Sequence, residues 1–158
     1  KGDNILKSKL SAGFNASYMY SKQDFDRFKV INETKLNVNF TNAEGRLTGA
    51  SDLILNADIT YTKEFSEESN ILGTLAYSYF SDRIYAIGSA GKGDLVDKGM
   101  GTLDLTLKSN ISKKIKLGVS LKNLLNPTVK RIQEMQRIEV LSFKNGVNAS
   151  FSLTYKLD

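Results

Sequence analysis

Apolar and polar residues alternate along most of this chain. A period of two is the mark of a β-strand with unlike faces. Between Leu6 and Ser21 the even positions are Leu6, Ser8, Leu10, Ala12, Phe14, Ala16, Tyr18 and Tyr20, and the odd ones are mostly Lys, Ser, Gly and Asn. That run is long for a strand of a soluble protein, where about five or six residues are usual. Five more segments repeat the pattern: Leu53 to Phe65, Ile71 to Ser81, Thr102 to Ile111, Ile115 to Leu124 and Val147 to Leu157. In the last, Val147, Ala149, Phe151, Leu153, Tyr155 and Leu157 oppose Asn148, Ser150, Ser152, Thr154 and Lys156.

The connectors differ in length. Ser66 to Asn70 and Ser112 to Lys114 are short, whereas residues 22–52, Asp82 to Gly101 and Leu125 to Gly146 are long. Short turns at one end and long loops at the other are the pattern of a transmembrane barrel. Two further alternating stretches, 35–41 and 137–144, read as strand extensions standing above the membrane; counted as spanning strands they would make eight. The expectation is an all-β chain: an antiparallel transmembrane β-barrel segment of about six to eight strands, part of a larger barrel. Residues 1–158 are expected to form a single unit of such a barrel. The tight turn at Ser112–Lys114 also sets a register. Ile111 opposite Ile115 places Asp104 opposite Lys122, with Cβ atoms within about 8 Å.

Composition narrows the chemistry. The chain has no Cys, no His and no Trp, and a single Pro. Disulfide frameworks, thiolate or imidazole metal sites and Ser-His-Asp or Cys-His catalysis are excluded within it. Neither enzymatic activity nor a cofactor is expected. Hydrophobic residues make up 41%, the mean hydropathy is −0.28 and no apolar run reaches helix-spanning length. Such averages exclude transmembrane helices but suit barrel strands. Aromatic residues near strand ends, among them Tyr18, Tyr20, Phe65 and Tyr79, suit interfacial girdles. The net charge of +5 is spread singly, with no basic run longer than Lys113–Lys114. No nucleic-acid partner is expected. Gly88 to Asp94 lacks the spacing of a phosphate-binding loop. Asp24-Phe25-Asp26 lacks the downstream Gly and Glu of a calcium loop.

Four stretches resemble, in order, the end of a TonB-dependent outer-membrane receptor: Gly49 to Asp58, Tyr79 to Ala86, Leu121-Lys122-Asn123-Leu124-Leu125-Asn126-Pro127, and Leu141 to Gly146 followed by Phe151 to Leu157. The Asn-Leu-Leu-Asn-Pro piece with the closing strand is the most specific part. The chain departs from the family in ending Leu157-Asp158, where an aromatic is usual. The resemblance implies roughly the last quarter of a 22-stranded barrel in the bacterial outer membrane, closed elsewhere by a plug domain. It implies active uptake of a ligand, driven through TonB contacts made by regions outside this chain. The implied partners are the remaining strands and plug of the same receptor, the TonB complex, the barrel-assembly machinery and outer-membrane lipid. In such a receptor, ligand contacts come from loops and from the lumen. The loop candidates are Arg83, Tyr85, Lys92, Asp94, Asp97 and Lys98, followed by Lys130, Arg131 and Arg137. The lumen-facing candidates are Asp58, Asp104, Lys108 and Lys122. The alternatives are a complete eight-stranded barrel serving as anchor or adhesin, and a soluble β-sandwich binding module.

Overall fold

All six alternating segments form strands, and they pair edge to edge. The computed structural model describes residues 8–35 and 38–157. In chain order the elements are β1 (Ser8–Tyr18), β2 (Gln23–Asp24), α1 (Arg27–Thr34), β3 (Glu44–Gly45), β4 (Leu53–Ser66), β5 (Ser69–Phe80), β6 (Arg83–Ala86), β7 (Leu95–Asp97), β8 (Met100–Asn110), β9 (Ile115–Lys122), β10 (Thr128–Gln133), β11 (Ile138–Lys144) and β12 (Asn148–Tyr155). The main sheet is antiparallel, in the order β1-β4-β5-β8-β9-β12. Leu6 and Lys7 of the first segment, and residues 36–37 of the stretch 35–41, lie outside the described residues.

Register turns six separate alternations into one surface. Ala12 lies opposite Ile59, Ile59 opposite Leu75, Leu75 opposite Leu105, Leu105 opposite Leu121 and Leu121 opposite Ala149. The adjacent rows carry Phe14, Tyr77 and Leu103 on one side, and Tyr61, Leu107, Val119 and Phe151 on the other. One face is therefore apolar across all six strands. A one-residue slip in any ladder would carry polar side chains onto it. Glycines on this face are covered by neighbours: a Cβ at Gly101 would fall on the ring of Tyr77.

The opposite face is polar. Its middle row reads Ser11, Thr60, Thr74, Thr106, Ser120 and Ser150, a hydroxyl from every strand. Thr60 and Thr74 share a hydrogen bond of 2.9 Å. The sheet curls toward this side, so that Thr62 of β4 and Ser152 of β12 line one hollow of about 490 Å³. A soluble sheet puts its apolar face against a core. Here the apolar side is convex and bare: Phe14 is 73% exposed and Ile59, in an inner strand, 52%.

The core lies elsewhere. A second sheet, in the order β11-β10-β7-β6, stands at the long-loop end of the first. It continues β5, β8, β9 and β12 in the same lateral order, as a tier of loop hairpins. The stretch 137–144, expected as an extension, is β11 of this tier. Among the described residues the only buried hydrophobic side chains of substance are Ile84, at 4% exposure, and Val96, at 0%. They pair across β6 and β7, and Val96 pairs onward to Ile132 in β10.

Two kinks separate the tiers. At the first, Asp82 accepts from the Gly99 amide at 2.6 Å and pairs with Lys98. Position 99 needs glycine, because a Cβ there would lie 2.6 Å from the Phe80 carbonyl oxygen. At the second, Asn123 and Asn126 adopt positive φ of 60° and 44°. The Asn123 side-chain amide donates to the Gly146 carbonyl at 2.7 Å, and Gly146 N–H returns a bond to Asn126 Oδ1 at 3.0 Å. The Asn-Leu-Leu-Asn motif thus ties the exit of β9 to the entry of β12.

The β8–β9 ladder has the expected register, with Leu105 opposite Leu121 and a bond from Ile111 N–H to the Ile115 carbonyl. Asp104 and Lys122, next in that register, make no ion pair with each other. Asp104 accepts instead from the Asn123 amide at 2.8 Å. The chain leaves the strand there and frees a backbone donor, fixed in place where the Lys122 ammonium is on a flexible stem.

Residues 22–52, expected as a loop with an alternating stretch, also contain a short helix. Asp26 caps α1 by accepting from Lys29 N–H at 3.0 Å, and Lys35 closes it in the left-handed conformation. Farther on, Thr48 to Ser51 bridge the free edge of β6, with Gly49 N–H bonded to the Ile84 carbonyl at 2.7 Å. That contact shields the edge of the tier.

If Ile84 anchors the tier's core, Ile84→Ala should lower its opening free energy by about 2–5 kcal/mol. Amide hydrogen exchange should then accelerate in Leu95–Asp97 and Thr128–Gln133 but not in β4 or β5. Unchanged exchange in β7 and β10 would show that the core lies elsewhere.

Candidate ligand-binding site in the loop tier

Antiparallel pairing brings three charged side chains from three strands into one row. Arg83 in β6 lies opposite Asp97 in β7, and Asp97 lies opposite Arg131 in β10. Arg131 Nε is 2.6 Å from Asp97 Oδ1, and Arg83 Nε is 3.4 Å from Oδ2. One carboxylate therefore holds two guanidinium groups by their Nε–H donors. Tyr85, two residues beyond Arg83, completes the group: the Arg131 guanidinium carbon sits 3.2 Å from the centre of its ring. Arg83 in turn lies over the Phe80 ring at 5.4 Å.

The row lies on the continuation of the polar face. Val129 of β10 shares a hollow with Met100, Thr102 and Asp104 of that face, and Arg131 is two residues farther along the same strand. Phe80, beneath Arg83, is the partner of Met100. Thr48, Gly49, Arg83, Tyr85, Asp97 and Arg131 with Ile84 line a recess of about 380 Å³. The Asp97 side chain is 13% exposed and that of Arg131 20%, whereas Arg83 is closer to half-exposed.

Charge follows from this packing. Burial pushes the Asp97 carboxyl up, but the hydrogen bonds and positive charges of Arg131 and Arg83 outweigh it and hold it below its ordinary value. The same hydrogen bond raises Arg131 further. Asp82 behaves alike: burial raises it, and the Gly99 amide with Lys98 brings it below the usual carboxylate range.

Of the loop candidates, the fold brings Arg83, Tyr85, Asp97 and Arg131 together. Lys98 is turned away, paired with Asp82. Asp94 is buried, its Oδ1 accepting from Gly88 N–H at 2.6 Å, so it closes the 88–94 loop from within. Lys92 stands exposed on that loop, its carbonyl held by the Thr41 hydroxyl at 2.6 Å. Lys130 pairs with Glu139, and Arg137 sits exposed in the β10–β11 turn at φ 51°.

Asp58, Asp104, Lys108 and Lys122 all take polar-face positions of the main sheet. They form no cluster: Asp58 leans over Gly13, and Asp104 is engaged with Asn123. Among the described residues no group of three acidic, His or Cys side chains could hold a metal ion. Thr48 and Gly49, which wall the recess, were not legible as site residues in the sequence, since this segment reaches β6 only through isolated bridges. The hydroxyl row was present in the alternation but needed the register to appear.

Comparison with protein-family models, with curated proteins and with solved structures finds no match.

The Asp97 cluster should give the tier an acid limit. Its carboxyl lies below the unfolded value of 3.8. The stability it contributes is therefore complete above 3.8 and is lost as pH falls through the folded value. The Arg131 Nε–H resonance and the Tyr85 ring signals should keep their folded positions at neutral pH and collapse in strong acid. Asp97→Asn should weaken the cluster by about 1–3 kcal/mol at neutral pH and remove that acid step; an unaltered step in the variant would assign it to another group.

Proposed function

We propose that this chain is a stretch of wall, with its loops, in a TonB-dependent receptor of the bacterial outer membrane. Such a receptor takes up a ligand actively. One observation carries the reading. The sheet is apolar on its convex side and polar on its concave side, the reverse of a soluble barrel. A large aliphatic or aromatic side chain left in water forgoes about 1.5–3 kcal/mol of burial. Contact with hydrocarbon returns it, while Ser, Thr, Asn and Lys on the inner side keep a wet lumen.

Strand length agrees. β1, β4, β5 and β8 have 11, 14, 12 and 11 residues, and about 9–11 suffice to cross a bilayer. Among the described residues no strand pairs with the outer edge of β1 or of β12. In lipid each needs a neighbour for its backbone groups. This favours a wall completed by further strands over a closed barrel of eight, and the family resemblance supplies those strands and a plug. The chain's own share is to line the lumen, seal it against lipid and present the loop tier to ligand.

Because the chain has no Cys, single cysteines can be introduced one by one. In native membranes, labels at Phe14, Ile59, Leu75, Leu105 and Phe151 should be quenched by lipid-borne quenchers. Labels at Thr60, Thr74, Thr106 and Ser120 should respond to water-soluble reagents. Recovery of the protein in the soluble fraction, or lipid quenching from the hydroxyl row, would overturn the proposal.

A further inference from the structure

The row Arg83–Asp97–Arg131 holds two cations against one anion. Asp97 takes the Nε–H of each guanidinium, at 3.4 and 2.6 Å. Among the described residues no second carboxylate pairs with either arginine, so their η-nitrogens keep donor capacity. A purely structural cross-strand pair would need one arginine. The second, Arg83, leaves a net positive charge beside the recess. Tyr85 covers one face of Arg131 and fixes its plane. Both arginines line the recess of about 380 Å³, together with Thr48 and Gly49. Two pre-oriented guanidinium forks beside a hydroxyl and a recess suit an oxyanion, through charge-assisted hydrogen bonds.

We propose that this recess binds a carboxylate or phosphate group of a solute entering from the loop end. Arg83 and Arg131 supply the donors, and Asp97 acts as the positioning residue that holds both forks. The site lies on the polar, concave side rather than over the apolar face, which favours a dissolved anion over a lipid headgroup. The inference deepens the receptor reading and rests on it for the anion being part of the captured ligand; the site itself stands on local geometry.

Arginine-selective modification by phenylglyoxal, mapped by mass spectrometry on the membrane-embedded protein, tests it without a variant. Inorganic phosphate and citrate, each titrated at constant ionic strength against chloride, should protect Arg83 and Arg131 saturably, and Arg27 and Arg137 not. Equal modification with and without the anions overturns the proposal. Protection by phosphatidylglycerol vesicles alone, without protection by the free anions, overturns it in favour of a headgroup site. Arg83→Gln and Arg131→Gln should each weaken citrate binding at least about tenfold, with Arg131→Lys recovering only part of the loss. Should Arg131→Gln open the tier by proteolysis, the protection pattern on the unaltered protein decides. Protection in a protein that fractionates as soluble would refute the receptor reading and leave the anion site standing.

Discussion

Every larger feature of this molecule depends on the register of five antiparallel ladders. Alternation gives each strand two unlike sides, but only the backbone hydrogen bonds decide whether neighbouring strands present the same side. Here they do so from β1 to β12. An apolar convex surface and a hydroxyl-lined concave one follow without any core between them. The main sheet is thus specified by pairing rather than by packing.

The loop tier obeys the opposite rule. There the strands are short and an enclosed apolar pair, Ile84 and Val96, holds them. The change of rule happens at the kinks. Asp82 with Gly99, and Asn123 with Asn126 and Gly146, absorb backbone groups that the interrupted ladders leave unpaired. The kinks also shift which residues face inward, so that Arg83, Asp97 and Arg131 come to stand above the polar face. The position of this charged row beyond the long-loop end of the sheet is a by-product of how the strands are broken.

Much of this could be read from the residues. The six strands, the asymmetry of the turns, the tier position of 137–144 and the β8–β9 register all follow from period two and turn length. The polar-face placement of Asp58, Asp104, Lys108 and Lys122 follows from the same parity. The helix at Arg27–Thr34 does not, because it is only about two turns long, started by a lone Asp26 cap within a polar stretch. The cluster was visible only in part. Arg83, Tyr85 and Asp97 lie in one loop hairpin, whereas Arg131 joins them from another through a ladder that begins after the Asn123–Asn126 kink. Parity counted straight through that kink would misplace it. Asp94 reads as a ligand-contacting loop acid, yet the tight 88–94 turn points it inward at an amide.

The clamp between Asn123, Asn126 and Gly146 has a consequence for change over time. It fixes where β9 ends and β12 begins by bonds that involve no residue of the hairpin between them. The hairpin can be lengthened, recomposed or exchanged while the wall below keeps its alignment. The clamp is therefore a graft junction, and it separates the part of the chain held to one geometry by its ladders from the part whose length and composition can vary.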